Sequence, residues 1–485
     1  MAAADKISTR ELWQKLWEAG RVLKVDHDIH PGDIGGHRPR EVVATVSVDS
    51  VEQVQDVVRA ATQIGARLYP LSTGANWGMG SRFPVVEGCT VLDLSAMARI
   101  RELDLEHGYA VIEPGVTQAQ LAKALEGSEW VLNVTSSCAD TSIVGNALER
   151  GDGIIRSRVQ DTLAVEVVLG NGELLTTGGL DGHGHYHGRV AGPDLTAAFV
   201  ESNLGVVTAM VVSLVPRPET TELVYACFRP EAFPDLVDAV ARLGRAGLPT
   251  DGLLRLRGSV VPDGPHALPE TPDSGLFTTT VPLLGRKETV QLSRRLIREA
   301  LESVPDMVSF RSVDAATVEE DDALYFRARM ALGIPTCASL RRGLGVPDCD
   351  VEDTELAWLM FLPLVPLDRE HMVRAVDILR RAVDRHTTAL TAEFNIVSPH
   401  IANMVVQIAF SRTPEFTARA HALRDDIRAH FADEGFPAYR SNIDHMATEL
   451  GLRRNALIAP LEELKQLFDP RGVISPGRYL KGSVK

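Results

Sequence analysis

Between residues 221 and 434 the same order of elements is legible twice, and that repetition leaves few ways to fold. The first pass predicts a strand at 221–229, a helix at 232–246, strands at 251–259 and 277–283, and a helix at 287–303. The second predicts a strand at 357–365, a helix at 368–385, strands at 389–397 and 403–410, and a helix at 414–434. In the helix from 368, Met372, Val376, Leu379 and Val383 share one face, and Pro366, Pro399 and Pro414 bound the second set of strands. Two β-α-β-β-α units build one antiparallel sheet with its helices on a single face. The open face must cover something else, so 219–438 is expected to be a lid; two unrelated α+β modules are the alternative. Residues 304–356 read as loop-rich.

The first 218 residues are dense in glycine and in short β-type runs. Strands are predicted at 41–49, 66–70, 89–95, 109–113, 163–169 and 205–214, with GNGE at 170–173 as a tight hairpin turn. Asp49 and Ser50 can cap a helix whose Val51, Val54, Val57, Val58, Ala61 and Ile64 recur at helical spacing. A second helix starts at Thr117, with Leu121 and Leu125 on its inner face. Val215-Pro216-Arg217-Pro218 marks the boundary with the duplicated part.

Composition narrows the classes. At about 150 residues per domain, 485 residues make two or three domains. With 45% hydrophobic and 24% charged residues the chain is globular, not disordered. Lys plus Arg is 50 against 65 Asp plus Glu, a net charge of −15, which disfavours phosphate backbones and anionic lipid. No window approaches 18 consecutive apolar residues, and MAAADKISTRELWQKLWEAG is an amphipathic helix pattern, not a signal peptide. The five cysteines, 89, 138, 227, 337 and 349, are scattered and odd in number, which argues against a disulfide framework and for a reducing compartment. A soluble, cytoplasmic protein is expected.

Among catalytic motifs, GxxxxGK[ST], HExxH, a CxxC pair and GxSxG are all missing. No GxGxxG follows a strand with an acidic residue about 20 positions on. P-loop, metalloprotease, serine hydrolase and Rossmann readings are therefore disfavoured. Three glycine-containing segments remain: Pro70–Gly80, Ser142–Gly151 and Ser202–Thr208. Successive backbone N–H groups in such turns make anion-binding nests, and missing Cβ atoms admit a pyrophosphate. By themselves they name no ligand.

PLSTGANWGMGS, VIEPGVT, SIVGNALERGDG, GPDLTAAFVESNLGVVT and the terminal FDPRGVISPGRY resemble, in order, signatures of the vanillyl-alcohol oxidase and p-cresol methylhydroxylase flavoprotein family. The match runs over 41–218 and again over 435–485, and the duplicated middle resembles that family's substrate-binding cap. The resemblance implies an α+β fold: a p-cresol methylhydroxylase-type FAD-binding domain plus a cap domain whose large antiparallel sheet is covered by helices. Its boundaries would be 1–218 for the FAD-binding part, 219–438 for the cap, and 439–485 for a C-terminal segment completing the first. The implied FAD contacts are Ser72, Gly74, Asn76, Trp77, Gly78, Pro114, Gly115, Ser142, Gly145, Asn146, Gly151, Val207 and Arg478, with the pyrophosphate on the 72–80 loop.

Tyr439-Arg440-Ser441-Asn442 resembles the family's Tyr-Arg-Thr-His, in which the Tyr and Arg lie beside the flavin and hold an anionic substrate oxygen. A fixed guanidinium there would stabilise the negative charge that hydride transfer to flavin N5 leaves near N1 and C2=O, and a tyrosine hydroxyl can donate to an anion or relay a proton. The departures are specific. Met79 stands where the family has an aromatic hydroxyl, Ser137 where it has its carboxylate base, and Asn403 and Met404 where it has paired histidines. Asp140, three residues from Ser137, is the substitute base expected; an ordinary loop aspartate is the alternative.

The expected activity is an FAD-dependent oxidase or dehydrogenase acting on a C–OH or activated C–H of a small aromatic or unsaturated molecule. Tyr439, Arg440 and Asp140 would be its catalytic residues, and O₂ or an electron-carrier protein the acceptor. No metal, nucleic acid or membrane partner is expected; a homodimer stays open. A nicotinamide-fed reductase on the same fold and a flavin-binding protein without catalysis are the alternatives. FAD is expected without a covalent bond, because Ala75 and Trp358 stand where relatives on this fold carry flavin-linking histidines. Cys138, one residue out of register with a flavin-linking cysteine, is read as a thiol that packs. The alternating His183, His185 and His187 sit in a glycine-rich stretch that gives no second shell to fix a metal.

Overall fold

The computed structural model describes residues 7–27, 33–75, 77–180, 188–261, 275–337, 355–449 and 458–480. Helix α1 (Thr9–Glu18) starts at a reciprocal cap between Ser8 and Glu11 and buries Trp13, whose indole donates to Thr90 Oγ1 at 2.8 Å. Strands β1 (Lys24–Asp26) and β2 (Val42–Ser47), helix α2 (Val51–Ile64), and strands β3 (Arg67–Leu71) and β4 (Cys89–Asp93) follow. The sheet order is β1-β2-β4-β3, with β2 and β3 parallel to β4. Ser50 caps α2, and its Val54, Val57, Val58 and Ala61 are fully buried, as their spacing predicts. Each such side chain contributes roughly 1.5–3 kcal/mol of transfer free energy.

The chain continues with β5 (Ile100–Asp104), β6 (Tyr109–Ile112), α3 (Gln118–Ala124), β7 (Trp130–Val131), α4 (Ile143–Leu148), β8 (Thr162–Val168), β9 (Leu174–Thr176), β10 (Val206–Ser213) and β11 (Val215–Pro216). A second, antiparallel sheet runs β5-β6-β10-β8-β9, and β11 pairs with β7. The GNGE turn joins β8 to β9, with Leu169 N donating to Glu173 O at 2.9 Å.

Next come β12 (Thr220–Phe228), α5 (Phe233–Arg245), β13 (Arg255–Val260), β14 (Phe277–Gly285), α6 (Lys287–Glu302), β15 (Met307–Asp314) and α7 (Tyr325–Ala331). Then follow β16 (Leu356–Pro366), α8 (Arg369–His386), β17 (Leu390–Ser398), β18 (Ile401–Ser411), α9 (Pro414–Asp433) and β19 (Ala438–Arg440). All ten repeated elements stand where the sequence predicts them. The eight strands make one antiparallel sheet, β15-β12-β14-β13-β17-β18-β16-β19, in which the two units meet at β13–β17. Their strand orders mirror each other about that seam.

Phe233, Leu236 and Val240 of α5, Ile297 and Leu301 of α6, Met372 and Leu379 of α8, and Leu423 and Ile427 of α9 share one core cluster with inward strand residues. Strand alternation sets the other face. On β13 Leu256 enters that core, whereas Arg255 and Arg257 line a cavity; on β17 Phe394 enters it, whereas Glu393 and Asn395 line the cavity.

Two expectations are corrected. The stretch 304–356 is not simply loop-rich, because it contributes the edge strand β15 and helix α7. Strand β19 spans the 438–439 boundary, and its Arg440 pairs with Leu362 of β16. Cys138 is not a thiol that merely packs: it is disulfide-bonded to Cys337, 199 residues away, whereas Cys89 and Cys227 are buried and take no part in that bond.

The last helices are α10 (Met446–Glu449) and α11 (Ile458–Phe468). The tail beyond them returns to the first sheets. Leu68 N donates to Val473 O at 2.8 Å, Ser475 N to Leu68 O at 2.8 Å, and Asn203 Nδ2 to Ser475 O at 3.1 Å. No helix among the described residues is long and apolar enough to cross a membrane.

Candidate active site

Ser142 ties the first two glycine segments together. Ser142 N donates to Thr73 Oγ1 of the first segment at 3.1 Å. Ser142 Oγ donates to Pro114 O at 2.6 Å and accepts from Gly145 N at 2.9 Å, which also caps α4. These loops form one wall of a cavity of about 650 Å³ whose other wall is the open face of the large sheet. The volume lies within the roughly 300–1,000 Å³ of small-molecule and cofactor sites.

Of the residues singled out from the sequence, Ser72, Gly74, Trp77, Pro114 and Ser142 line this cavity. So do Gly145, Asn146, Gly151, Val207, Arg478, Tyr439 and Arg440. Gly145 is a close-approach position: a Cβ there would lie 2.9 Å from Ser72 Oγ. Gly78 and Gly115 are not lining residues. Gly78, at φ +77°, backs onto β16, its carbonyl accepting from Met360 N at 3.2 Å, and Gly115 lies against Ser95 O. Asn76 and the three alternating histidines lie outside the described residues.

Asp140 is not brought to the cavity. It is exposed, with Oδ2 3.9 Å from Cys138 Sγ and 3.7 Å from Cys337 Sγ. These three residues form the group of close potential metal ligands among the described residues, and its two sulfurs are bonded to each other.

Tyr439 sits on β19 in a small apolar cluster with Leu362 and Met79, the residue that departs from the family pattern. Burial first, then the carboxylate of Asp152, hold its phenol well above the usual pKa; Arg440 opposes them. Arg440 Nε donates to Glu149 Oε2 at 3.2 Å, and Arg478 Nη2 donates to Glu149 Oε1. Glu149 therefore fixes both guanidiniums. Next to it, burial lifts the Glu201 carboxyl to about 7, against the pull of Arg150.

Several cavity residues were not assigned from the sequence. Asp152 accepts from Asn403 Nδ2 at 3.0 and 3.2 Å and from Asn395 Nδ2 at 3.4 Å. Burial raises its pKa, whereas those amides, Arg255 and Arg440 pull it down. Farther along the sheet face, Arg327 Nη2 donates to Glu393 Oε2 at 3.0 Å, and Arg255 Nη1 lies 3.8 Å from Glu393 Oε1. Burial pushes Glu393 up, but Arg327, Arg255 and Arg257 outweigh it and hold the carboxyl at about 2. Asp152 was inside a recognised motif, and Arg255 and Arg257 flank a core leucine; those were the available signals.

The cavity fits a flavin dinucleotide. Asn146 Oδ1, Trp77 Nε1 and Arg478 Nε are buried without a hydrogen-bond partner, as groups awaiting a polar ligand would be. The Gly145 cradle would be filled by any side chain. Ala75 and Trp358 both line the cavity, and among the described residues no histidine or cysteine lines it.

Comparison with known proteins agrees. An FAD binding domain model matches residues 42–178. The chain is similar to the 1'-carboxy-chondrochloren decarboxylase of Chondromyces crocatus, at 31% identity with 90% of each chain covered. It is also similar to the 4-cresol dehydrogenase [hydroxylating] flavoprotein subunit of Pseudomonas putida, at 26% identity over 96% of this chain and 92% of that one. Its fold matches that of p-cresol methylhydroxylase with substrate bound, with a TM-score of 0.83 at 22% identity and 97% of each chain covered. The chain belongs to the p-cresol methylhydroxylase and vanillyl-alcohol oxidase family of FAD-linked oxidoreductases, and it is a flavin-dependent enzyme.

Proposed function

We propose that the enzyme oxidises a small aromatic or unsaturated molecule at a C–OH or activated C–H, with substrate lying between the flavin and the open face of the large sheet. Residues 1–218 and 439–485 would hold FAD, without a covalent bond, and 219–438 would cap it. The observation that carries this reading is the meeting, in one cavity, of all three glycine segments, Tyr439, Arg440 and the buried carboxylate of Asp152. The name of one relative, a 4-cresol dehydrogenase, points the same way, whereas the other is named a decarboxylase of a carboxy-bearing compound.

FAD bound there supplies a two-electron acceptor. The chain's own residues do the rest. Ser142, Gly145 and Asn146 bind and orient the cofactor, and Arg440 and Arg478, fixed by Glu149, supply positive charge beside it. Tyr439 donates to the substrate oxygen. In losing an electron pair and one hydrogen to the acceptor, the substrate releases a second proton, and Asp152 takes it. A buried carboxyl with a raised pKa suits that task better than the exposed Asp140. O₂ or an electron-carrier protein would then regenerate the acceptor.

Anaerobic stopped-flow mixing of flavin-loaded protein with phenols, alcohols and amines tests the reading. Bleaching of the flavin by a member of the panel is expected. Bleaching by NAD(P)H alone would replace it with a reductase, and a flavin untouched by every compound would replace it with a non-catalytic carrier.

A further inference from the structure

The reaction just proposed leaves one lobe of the cavity unused, and that lobe is cationic. Arg255, Arg257 and Arg327 line it with a single carboxylate among them, Glu393. Arg257 and Glu393 are partners across the β13–β17 seam, as are Arg255 and Asn395. Arg327, from α7, is matched by Glu393 at 3.0 Å, and Arg257 is exposed to solvent. Arg255 is different. It is 3% exposed; Nη2 donates to Gly153 O at 3.0 Å, but Nε and Nη1 have no hydrogen-bond partner.

A guanidinium cannot shed its charge at neutral pH, and leaving one buried with unmet donors costs several kcal/mol. The sheet leaves it so on the face that lines the cavity. Glu393 is already shared among three cations, and Asp152 is committed to Asn403 and Asn395. Three guanidiniums thus face two carboxylates, Glu393 and Asp152, and that excess of one positive charge, together with the unmet donors of Arg255, calls for a ligand with one negative charge and planar acceptors.

We propose that the substrate carries a carboxylate, bound at Arg255 with Arg327 and Arg257 beside it, so that the acid group anchors the molecule while its other end reacts. This rests on the oxidation proposed above and names the substrate class for it. The closeness of the two ends follows from the sheet. Asn395 is the register partner of Arg255 and also donates to Asp152, and Arg255 itself donates to Gly153 O, so the anchor and the proton acceptor are close neighbours. That proximity fits a short arylalkanoate, in which one to three carbons join ring and carboxylate.

The probes are benzoate, phenylacetate, 3-phenylpropanoate and 4-phenylbutanoate, each against its primary amide, titrated into flavin-loaded protein and followed by perturbation of the flavin spectrum. At least one acid is expected to bind about tenfold or more tightly than its amide, a loss-of-charge effect of the size seen for charge-assisted pairs. In Arg255→Gln and in Arg327→Gln the preference should collapse while the amide's affinity is kept. Should Arg255→Gln fail to fold, the wild-type comparison and Arg327→Gln carry the test. Equal binding of every acid and its amide by the wild type, or a preference intact in both variants, would overturn the proposal. Tighter binding of phenyl phosphate than of any acid would overturn the choice of carboxylate. The two readings fail differently. An arginine-dependent acid preference stands even if no compound bleaches the flavin, and bleaching by neutral phenols with no acid preference sinks the anchor alone.

Discussion

Replacing Asp152 by Asn removes the proton acceptor with the least change in shape. Asp152 sits in the cavity wall with three amide contacts, from Asn403 at 3.0 and 3.2 Å and from Asn395 at 3.4 Å. Asparagine keeps one acceptor oxygen and turns the other into a donor facing Asn403. Rotation of the Asn403 amide restores that bond, so the fold should lose no more than about 1–3 kcal/mol, the cost of one unmet buried partner. Catalysis should lose far more. A positioned general base contributes about 10²–10⁴ in rate, or about 3–5 kcal/mol at 1.36 kcal/mol per decade. Flavin reduction in Asp152→Asn is therefore expected to slow by two to four orders of magnitude, with FAD content kept. The assay is anaerobic stopped-flow reduction by the panel member that bleaches the wild type fastest, repeated across pH. A base works only when deprotonated, so the wild-type rate should fall as pH drops through the raised pKa of Asp152, and the variant should lack that limb. Asp140→Asn, exposed and outside the cavity, should match the wild type. A variant at position 152 that keeps more than about a tenth of the rate, with the acid limb unaltered, would refute the assignment.

Other perturbations probe the cofactor cradle and the charges around it. Gly145→Ala puts a Cβ 2.9 Å from Ser72 Oγ; overpacking of this kind costs about 1–3 kcal/mol, so FAD affinity should fall roughly tenfold, and unchanged flavin content after ultrafiltration would contradict the cradle. The Glu201 carboxyl titrates at about 7 in the folded chain against 4.5 as its ordinary value, so between these pH values the folded state holds the extra proton. Stability should therefore fall as pH rises through that window, by about 3 kcal/mol in all, and Glu201→Gln should flatten the slope in urea unfolding. Acid precipitation of the yellow protein should leave all colour in the supernatant, because Ala75 and Trp358 offer no flavin-linking nitrogen and Cys138 is tied to Cys337; a protein heavier by one FAD would contradict non-covalent binding.

What could be read from the chain depended on the range of the interaction. The duplicated elements were legible because period-two and period-3.6 patterns are local and because prolines punctuate them. Strand β15 escaped because Met307–Asp314 lies at the sheet edge, where its residues are half-buried or exposed and no apolar alternation is required. β19 escaped because three residues carry no period at all. The Cys138–Cys337 bond joins positions 199 residues apart, and spacing cannot reveal such a pair. The glycine segments were found by motif; Ser142 ties the first two together, and all three line one cavity. Asp152, Arg255, Arg327 and Glu393 were not found, since they meet only where the two repeats join at β13–β17 and a loop reaches over from the first sheets. One cue was present. Arg255-Leu256-Arg257 places two cations opposite a core leucine, the alternation of a strand whose other face is polar.

A crystal structure of the flavin-loaded enzyme with 3-phenylpropanoate bound tests the central claim most directly. The account predicts FAD along Ser72, Ser142, Gly145 and Asn146, and the aromatic ligand between the flavin and the β13–β17 face. Its carboxylate should lie within hydrogen-bond distance of Arg255, about 2.7–3.2 Å, and its benzylic carbon beside Tyr439 and Asp152. A flavin seated elsewhere, or a ligand whose reacting carbon lies beyond reach of Asp152, would contradict it.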